Sequence, residues 1–89
     1  MPEQTVTIQN KLGLHARASA RLATTASAYD CDVWLSKDGV EVNGKSIMGI
    51  MMLAAGKGSQ ITIRTEGPQA EAALAAIVQL INERFGEAE

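Results

Sequence analysis

The segment CDVWLSKDGVEV, residues 31–42, reads as two strands joined by a tight turn, and its pattern sets the sheet on which the other elements are arranged. Cys31, Val33 and Leu35 alternate with Asp32 and Trp34 and so share one strand face, while Val40 and Val42 lie in the next strand. Between them, Lys37-Asp38-Gly39 carries the Asp-Gly pair of a tight hairpin, so the two strands are expected to pair antiparallel. Upstream, Thr5-Val6-Thr7-Ile8 alternates as a half-buried strand, Asn10 to Leu14 with Gly13 reads as a loop, and a helix follows from Ala16 to about Ala26. Leu22, Ala23 and Ala26 fall on one face of that helix. Downstream, Ser46 opens a short apolar helix from Ile47 to about Ala55, with Gly56 placed to stop it and Lys57-Gly58 making a turn. Ile61 and Ile63 alternate with Thr62 and Arg64 in a fourth strand. Glu66-Gly67-Pro68 then breaks the chain before a last helix from about Gln69 to Phe85, whose stripe is Leu74, Ile77, Val78, Ile81 and Phe85, with Glu71, Gln79 and Glu83 facing away.

The order is β-α-β-β-α-β-α. Strands of alternating pattern need one covered face, so the expected fold is an α+β open-faced sandwich, a four-stranded antiparallel sheet with three helices on one face. A chain of 89 residues buries only roughly 60 to 65% of its unfolded surface, which fits one compact domain. With 46% apolar and 20% charged residues it has the composition of a globular protein, and with 3% aromatics its core must be built from small aliphatics. The longest apolar run, Ile47 to Ala55, is far short of the ~20 residues of a membrane span, and the start MPEQTVTIQN lacks the basic and apolar regions of a signal peptide. A cytoplasmic location is therefore expected. The single cysteine, Cys31, sits in a strand and is expected to be a buried, inert thiol.

A net charge of −2 argues against general nucleic-acid binding. The distribution is uneven, however. No Asp or Glu occurs between Glu3 and Asp30 or between Glu41 and Glu66, whereas Lys11, Arg17, Arg21, Lys45, Lys57 and Arg64 all lie in those gaps. If the two segments meet, they form a positive face suited to an anion or an acidic partner surface. Gly39-Val40-Glu41-Val42-Asn43-Gly44-Lys45-Ser46 satisfies the pattern of a phosphate-binding loop, but Val40-Glu41-Val42 alternates as a strand where that loop needs a glycine-rich turn, so the match is formal only.

His15, the one histidine, stands at the first turn of the first helix, where unpaired backbone N–H groups and the positive end of the helix dipole point outward. Histidine is an unusual cap compared with Ser or Asp. A neutral imidazole there is a nucleophile whose phosphorylated form would be stabilised by the N–H groups of Ala16 and Arg17 and by the Arg17 side chain. No second histidine supplies further metal ligands, so no metal and no cofactor are expected. Ser46 is a preferred helix cap. Ile47, Met48, Ile50, Met51, Met52 and Leu53 are too apolar for a helix with a solvated face, so one side is expected in the core. Ile47, Met48, Met51 and Met52, with Lys45, are expected to form an exposed contact patch for partners.

Gly13-Leu14-His15-Ala16-Arg17 together with Lys45-Ser46-Ile47-Met48-Gly49 resembles the HPr phosphocarrier family of the phosphoenolpyruvate-dependent phosphotransferase system. The likeness spans nearly the whole chain, including the element order and the Gly67-Pro68 break, and implies a single HPr-like domain over residues 1–89. It implies that His15 accepts a phosphoryl group at Nδ1 from enzyme I and passes it to an enzyme IIA domain, with Arg17 steadying the charge. Such a protein is a monomeric carrier more than an independent enzyme. The resemblance also implies phosphorylation of Ser46 by an ATP-dependent HPr kinase/phosphorylase as regulation. The family often has Pro where this chain has Ala18, a change compatible with a first helical turn. One alternative is a regulatory module of the same fold, acting in nitrogen or metabolic control mainly by phosphorylation-dependent protein binding. Another is an RNA-binding domain of similar element order, but that needs base-stacking aromatics on the sheet, and Trp34, Tyr29 and Phe85 are the only aromatics.

Overall fold

Asp38 and Gly39 both have positive φ, 51° and 82°, as the two central residues of a type I′ turn require. In the computed structural model, which describes residues 2–89, they join β2 (Asp32–Lys37) to β3 (Val40–Asn43) in an antiparallel pair running from Lys37 opposite Val40 to Trp34 opposite Asn43. On its other edge β2 pairs antiparallel with β4 (Gln60–Glu66), and β4 pairs antiparallel with β1 (Glu3–Thr7), giving the order β1-β4-β2-β3. The connections between β1 and β2 and between β3 and β4 each pass over one intervening strand, and each carries a helix: α1 (Ala16–Ser27) and α2 (Ile47–Met52). The last helix, α3 (Ala70–Asn82), packs against β4 and β1, and α1 packs against both α2 and α3. The expected fold is therefore the one found.

Val6, Val33, Leu35, Ile61 and Ile63 are buried on the helix side of the sheet, facing Ala18, Leu22 and Ala26 of α1 and Ala73, Ile77 and Ile81 of α3. The opposite face is polar. There Thr5 and Thr62 share a 2.9 Å hydroxyl hydrogen bond, and Arg64 bonds the Glu41 carboxylate at 2.9 Å while lying 5.9 Å from the centre of the Trp34 ring. Cys31 is a buried free thiol, as expected. Among the described residues no helix is long and apolar enough to cross a membrane.

Four boundaries differ from the sequence reading: β2 begins at Asp32, leaving Cys31 just ahead of it, and three others also shift. The first strand is Glu3–Thr7, with Ile8 just beyond it yet buried, because the pairing with β4 begins opposite Arg64. α2 ends at Met52, short of Ala55, and the chain turns at Ala54, with φ 51°, and not at Gly56. Leu53 and Ala55 are both buried, and leaving the helix early lets both enter the core. α3 ends at Asn82, and Phe85 reaches the core through a 3-10 turn (Arg84–Gly86) in which all three residues have positive φ, 56°, 54° and 78°. The α3 stripe is also shifted: Ala70 and Ala73 are buried, while Leu74 and Val78 are only partly so. Small alanines let this helix approach the sheet closely.

A left-handed backbone at a residue with a Cβ costs roughly 1–2 kcal/mol, and Arg84 and Phe85 both adopt it. Full burial of the Phe85 ring offsets this, and Arg21 Nη1 donates a short hydrogen bond to the Phe85 carbonyl. Phe85→Ala is expected to lower stability in urea by about 3–5 kcal/mol and to raise amide exchange at residues 86–89 more than at β1. Equal exchange at the two places would show that the ring does not anchor the C-terminal segment.

Candidate functional site

The site begins at a close backbone approach. Gly13 has φ 65°, and a Cβ there would lie 2.4 Å from the Ala55 carbonyl oxygen and 2.7 Å from Gly56 Cα, so only glycine lets the Asn10–Leu14 loop rest on the chain leaving α2. The Leu14 N–H donates to the same Ala55 carbonyl at 2.8 Å. From beneath, the buried Asn10 amide Nδ2 donates to the Gly13 carbonyl at 2.8 Å. This loop delivers His15 in extended backbone, φ −73° and ψ 179°, as the N-cap of α1. Its carbonyl accepts the first intrahelical bond, from Ser19 N–H at 2.8 Å, and its ring turns back over the first turn.

Both ring nitrogens are engaged. Nδ1 accepts from the Arg17 backbone N–H at 3.2 Å, which requires a lone pair on Nδ1. Nε2 lies 2.7 Å from Glu87 Oε2 and, facing a carboxylate, is the nitrogen that carries the proton. Glu87 Oε1 also accepts from Asn10 Nδ2 at 3.1 Å, so one asparagine holds both the loop below the histidine and the acid beside it. The His15 and Glu87 side chains are 27% and 19% exposed. Two residues on, the Lys11 backbone N–H donates to the Glu89 carbonyl at 2.6 Å, and Lys11 Nζ sits 3.5 Å from the Glu89 carboxylate. The C-terminal segment thus forms one wall of an open cleft of about 650 Å³, with Lys11, Leu12, His15 and Arg17 on the other.

Partial burial pushes the Glu87 carboxyl up, but hydrogen bonds from His15 and Asn10, with the nearby positive charge of Arg17, outweigh it and hold the group below the usual carboxylate range. A carboxyl depressed in the folded state contributes stability above its unfolded value, and that contribution is lost as pH falls through the folded value. Docking of residues 87–89 should therefore persist through the mildly acidic range and fail below the ordinary carboxylate range. Exchange of the Lys11 amide, which donates to Glu89, reports this; protection that is flat down to strong acid would contradict it.

The sequence-predicted residues divide into two groups. His15 and Arg17 line one cleft, and the N–H groups of Ala16 and Arg17 stand at the start of α1. Ser46 caps α2, its Oγ accepting from the Gly49 N–H at 3.1 Å, and Lys45 Nζ donates to the Tyr29 carbonyl just past α1 at 2.9 Å. Ile47, Met48, Met51 and Met52 are exposed, by 43, 72, 40 and 74%. The single positive face does not form. Arg64 points to the polar face of the sheet and pairs with Glu41, away from the helices, because its neighbours Ile61 and Ile63 need the core side. Lys11 meets Glu89, and Arg21 is bound to the Phe85 carbonyl. Sequence reasoning missed Asn10, Leu12 and Glu87. Asn10 sat in the loop as an ordinary turn residue, Leu12 is 68% exposed without periodicity to mark it, and nothing local signals that Glu87 returns across 72 positions to His15.

The family model described as "PTS HPr component phosphorylation site" matches residues 2–83. The phosphocarrier protein HPr of Neisseria meningitidis serogroup A is 52% identical over 89 residues, covering all of both chains. The crystal structure of HPr from Thermoanaerobacter tengcongensis superposes with a TM-score of 0.96 at 45% identity, again over all of both chains, and a dimer of HPr from that organism matches with a TM-score of 0.79 at 46% identity over 98% of this chain and 100% of that one. Likeness of this extent, in sequence and backbone together, places the chain in the HPr family, the phosphocarrier proteins of the phosphotransferase system.

Proposed function

We propose that this chain receives a phosphoryl group on His15 Nδ1 from enzyme I, itself charged by phosphoenolpyruvate, and passes it to an enzyme IIA domain. The observation that carries this reading is the 3.2 Å contact from the Arg17 N–H to Nδ1, which marks that nitrogen as the one with an available lone pair and places it at the N-terminus of α1. When the lone pair takes phosphorus, the Arg17 N–H loses its acceptor on the ring and finds a phosphoryl oxygen in its place. The neighbouring unpaired N–H of Ala16 and the helix dipole favour the same anion. Arg17 lines the cleft, and its guanidinium supplies a positive charge there. Transfer between two ring nitrogens needs alignment and charge neutralisation more than covalent assistance, and two docked proteins provide both.

The exposed Ile47, Met48, Met51 and Met52, edged by Lys45, serve as the docking patch, since flexible methionines adapt to more than one partner. Ser46 borders that patch, and its phosphorylation by an HPr kinase/phosphorylase would add negative charge at the edge of the patch. The carrier is read as a cytoplasmic, monomeric single domain over residues 1–89. An RNA-binding reading gains no support, because among the described residues Trp34 is the only aromatic in the strands and Phe85 is buried among the helices.

His15→Ala should stay folded, because the ring contributes little to the core, and should take no label from phosphoenolpyruvate and enzyme I. Label retained on this variant would end the assignment, and wild-type label should be lost in acid and kept in alkali. Ser46→Asp should hold or raise stability by up to ~1 kcal/mol, since Asp also caps a helix, yet slow His15 phosphorylation on the order of tenfold at low salt. Ser46→Ala should lose ~1 kcal/mol with near-normal transfer. Equal rates for wild type and Ser46→Asp would leave Ser46 a cap alone.

A further inference from the structure

We infer that Glu87 is a positioning residue for His15, holding the ring by its Nε2–H and neutralising the charge that builds on it during transfer. The inference rests on the carrier reading above. Its physical basis is the arrangement on the two edges of one imidazole: a backbone N–H points at Nδ1 and a carboxylate accepts from Nε2 at 2.7 Å. These two contacts specify the same tautomer, and together they leave the ring no freedom to flip. The carboxylate is itself oriented, since its second oxygen accepts from the Asn10 amide at 3.1 Å, and that amide also holds the loop carrying the histidine.

The chain reaches this contact through the same backbone reversal that buries Phe85. Arg84 and Phe85 adopt left-handed backbone with Cβ atoms present, and the reversal they produce sends residues 87–89 back toward the start of α1. Phe85 in the core and the Lys11 backbone N–H, bonded to the Glu89 carbonyl, clamp the segment on either side of Glu87, and neither depends on the Glu89 side chain. A carboxylate only 19% exposed, with each of its oxygens hydrogen-bonded, is a built feature and differs from a surface ion pair such as Lys11–Glu89, whose side chains are 68 and 73% exposed.

The chemistry gives such an acid a specific task. In the transfer step the Nδ1 lone pair forms the new N–P bond as the N–P bond to the donor's phosphohistidine breaks, and that bonding pair returns to the donor's ring nitrogen. The Nε2 proton stays where it is, so the acceptor ring becomes an imidazolium carrying a phosphoryl group. A carboxylate already bonded to Nε2–H stabilises that cation without reorganising, as an acid behind a catalytic histidine does in general. Because the contact is on the far edge of the ring from Nδ1, it neither blocks the incoming phosphorus nor crowds the phosphoryl oxygens.

The test compares full-length wild type with Glu87→Ala, Glu87→Gln and, as a charge control, Glu89→Gln. Ring 15N NMR of the unphosphorylated proteins, with the imidazole neutral, needs no transfer. It should show in wild type a slowly exchanging Nε2–H proton that is lost in Glu87→Ala and kept in Glu87→Gln, whose amide oxygen still accepts. With phosphoenolpyruvate and enzyme I, the maximal rate of His15 phosphorylation should fall about tenfold for Glu87→Ala, equal to about 1.4 kcal/mol, with Glu87→Gln between it and wild type. The half-saturating concentration should stay unchanged, since the acid does not dock the partner. Glu89→Gln should behave as wild type in both measurements. An Nε2–H signal equally protected in Glu87→Ala, or a maximal rate unaffected by losing Glu87, overturns the inference while leaving the carrier reading intact. So does an equal loss in Glu89→Gln, which would make the effect one of general charge. Wild type that takes no label overturns the carrier reading itself, and the transfer role of Glu87 with it.

Discussion

The contact between Gly13 and the Ala55 carbonyl is the constraint on which the site depends. At 2.4 Å for a hypothetical Cβ, it leaves room for no side chain, and it seats the loop ahead of α1 directly on the segment that leaves α2. The start of α1 and the end of α2 are therefore fixed relative to one another by backbone, which is stiffer than side-chain packing. His15 inherits its place from this seat. So does the position of the exposed methionine patch on α2 relative to the imidazole, because α2 must end where Leu53 and Ala55 can both be buried.

On this frame the polar groups of the site form one connected set. Asn10 joins loop and acid, the acid joins the imidazole, and the imidazole joins the first turn of α1. Buried polar groups are costly unless bonded, and here nearly all are, with Asn10 Oδ1 the one buried side-chain polar atom among the described residues that lacks a hydrogen-bond partner. A connected set gives each group a single orientation, whereas separate surface contacts would leave the ring free to rotate. That distinction matters for a carrier. In the proposed transfer the same nitrogen meets donor and acceptor in turn, and a ring held on both edges presents Nδ1 in one direction to both.

The two faces of the molecule are kept apart by strand alternation. Residues facing the helices are aliphatic and build the core, apart from the buried Thr65, whose hydroxyl donates to the Ala70 carbonyl, and those facing out, Thr5, Thr62, Arg64 and Glu41, pair among themselves. Chemistry is thus confined to one end of the helical layer, where the first turn of α1, the end of α2 and the C-terminal segment meet. A small domain has too little interior for an enclosed pocket, and an open cleft at an edge suits the proposed role of His15 between two other proteins.

Much of this fold is legible in the residue pattern. The Asp38-Gly39 turn and the alternation of Cys31, Val33 and Leu35 were enough for the hairpin, and period-3.6 runs were enough for the helices, because local backbone preference and side-chain period act over a few residues. His15 and Ser46 were legible as helix starts for the same reason. Their chemical significance came from residue type and from a resemblance carried by two short motifs. Where helices ended was not legible, since Ala54 and Phe85 take left-handed backbone to satisfy burial elsewhere in the fold. Long-range packing sends Arg64 away from the other cations to the far face of the sheet and brings Glu87 back to His15. A carboxylate's partner across 72 positions is set by how the whole chain packs, and no local pattern in the sequence encodes it.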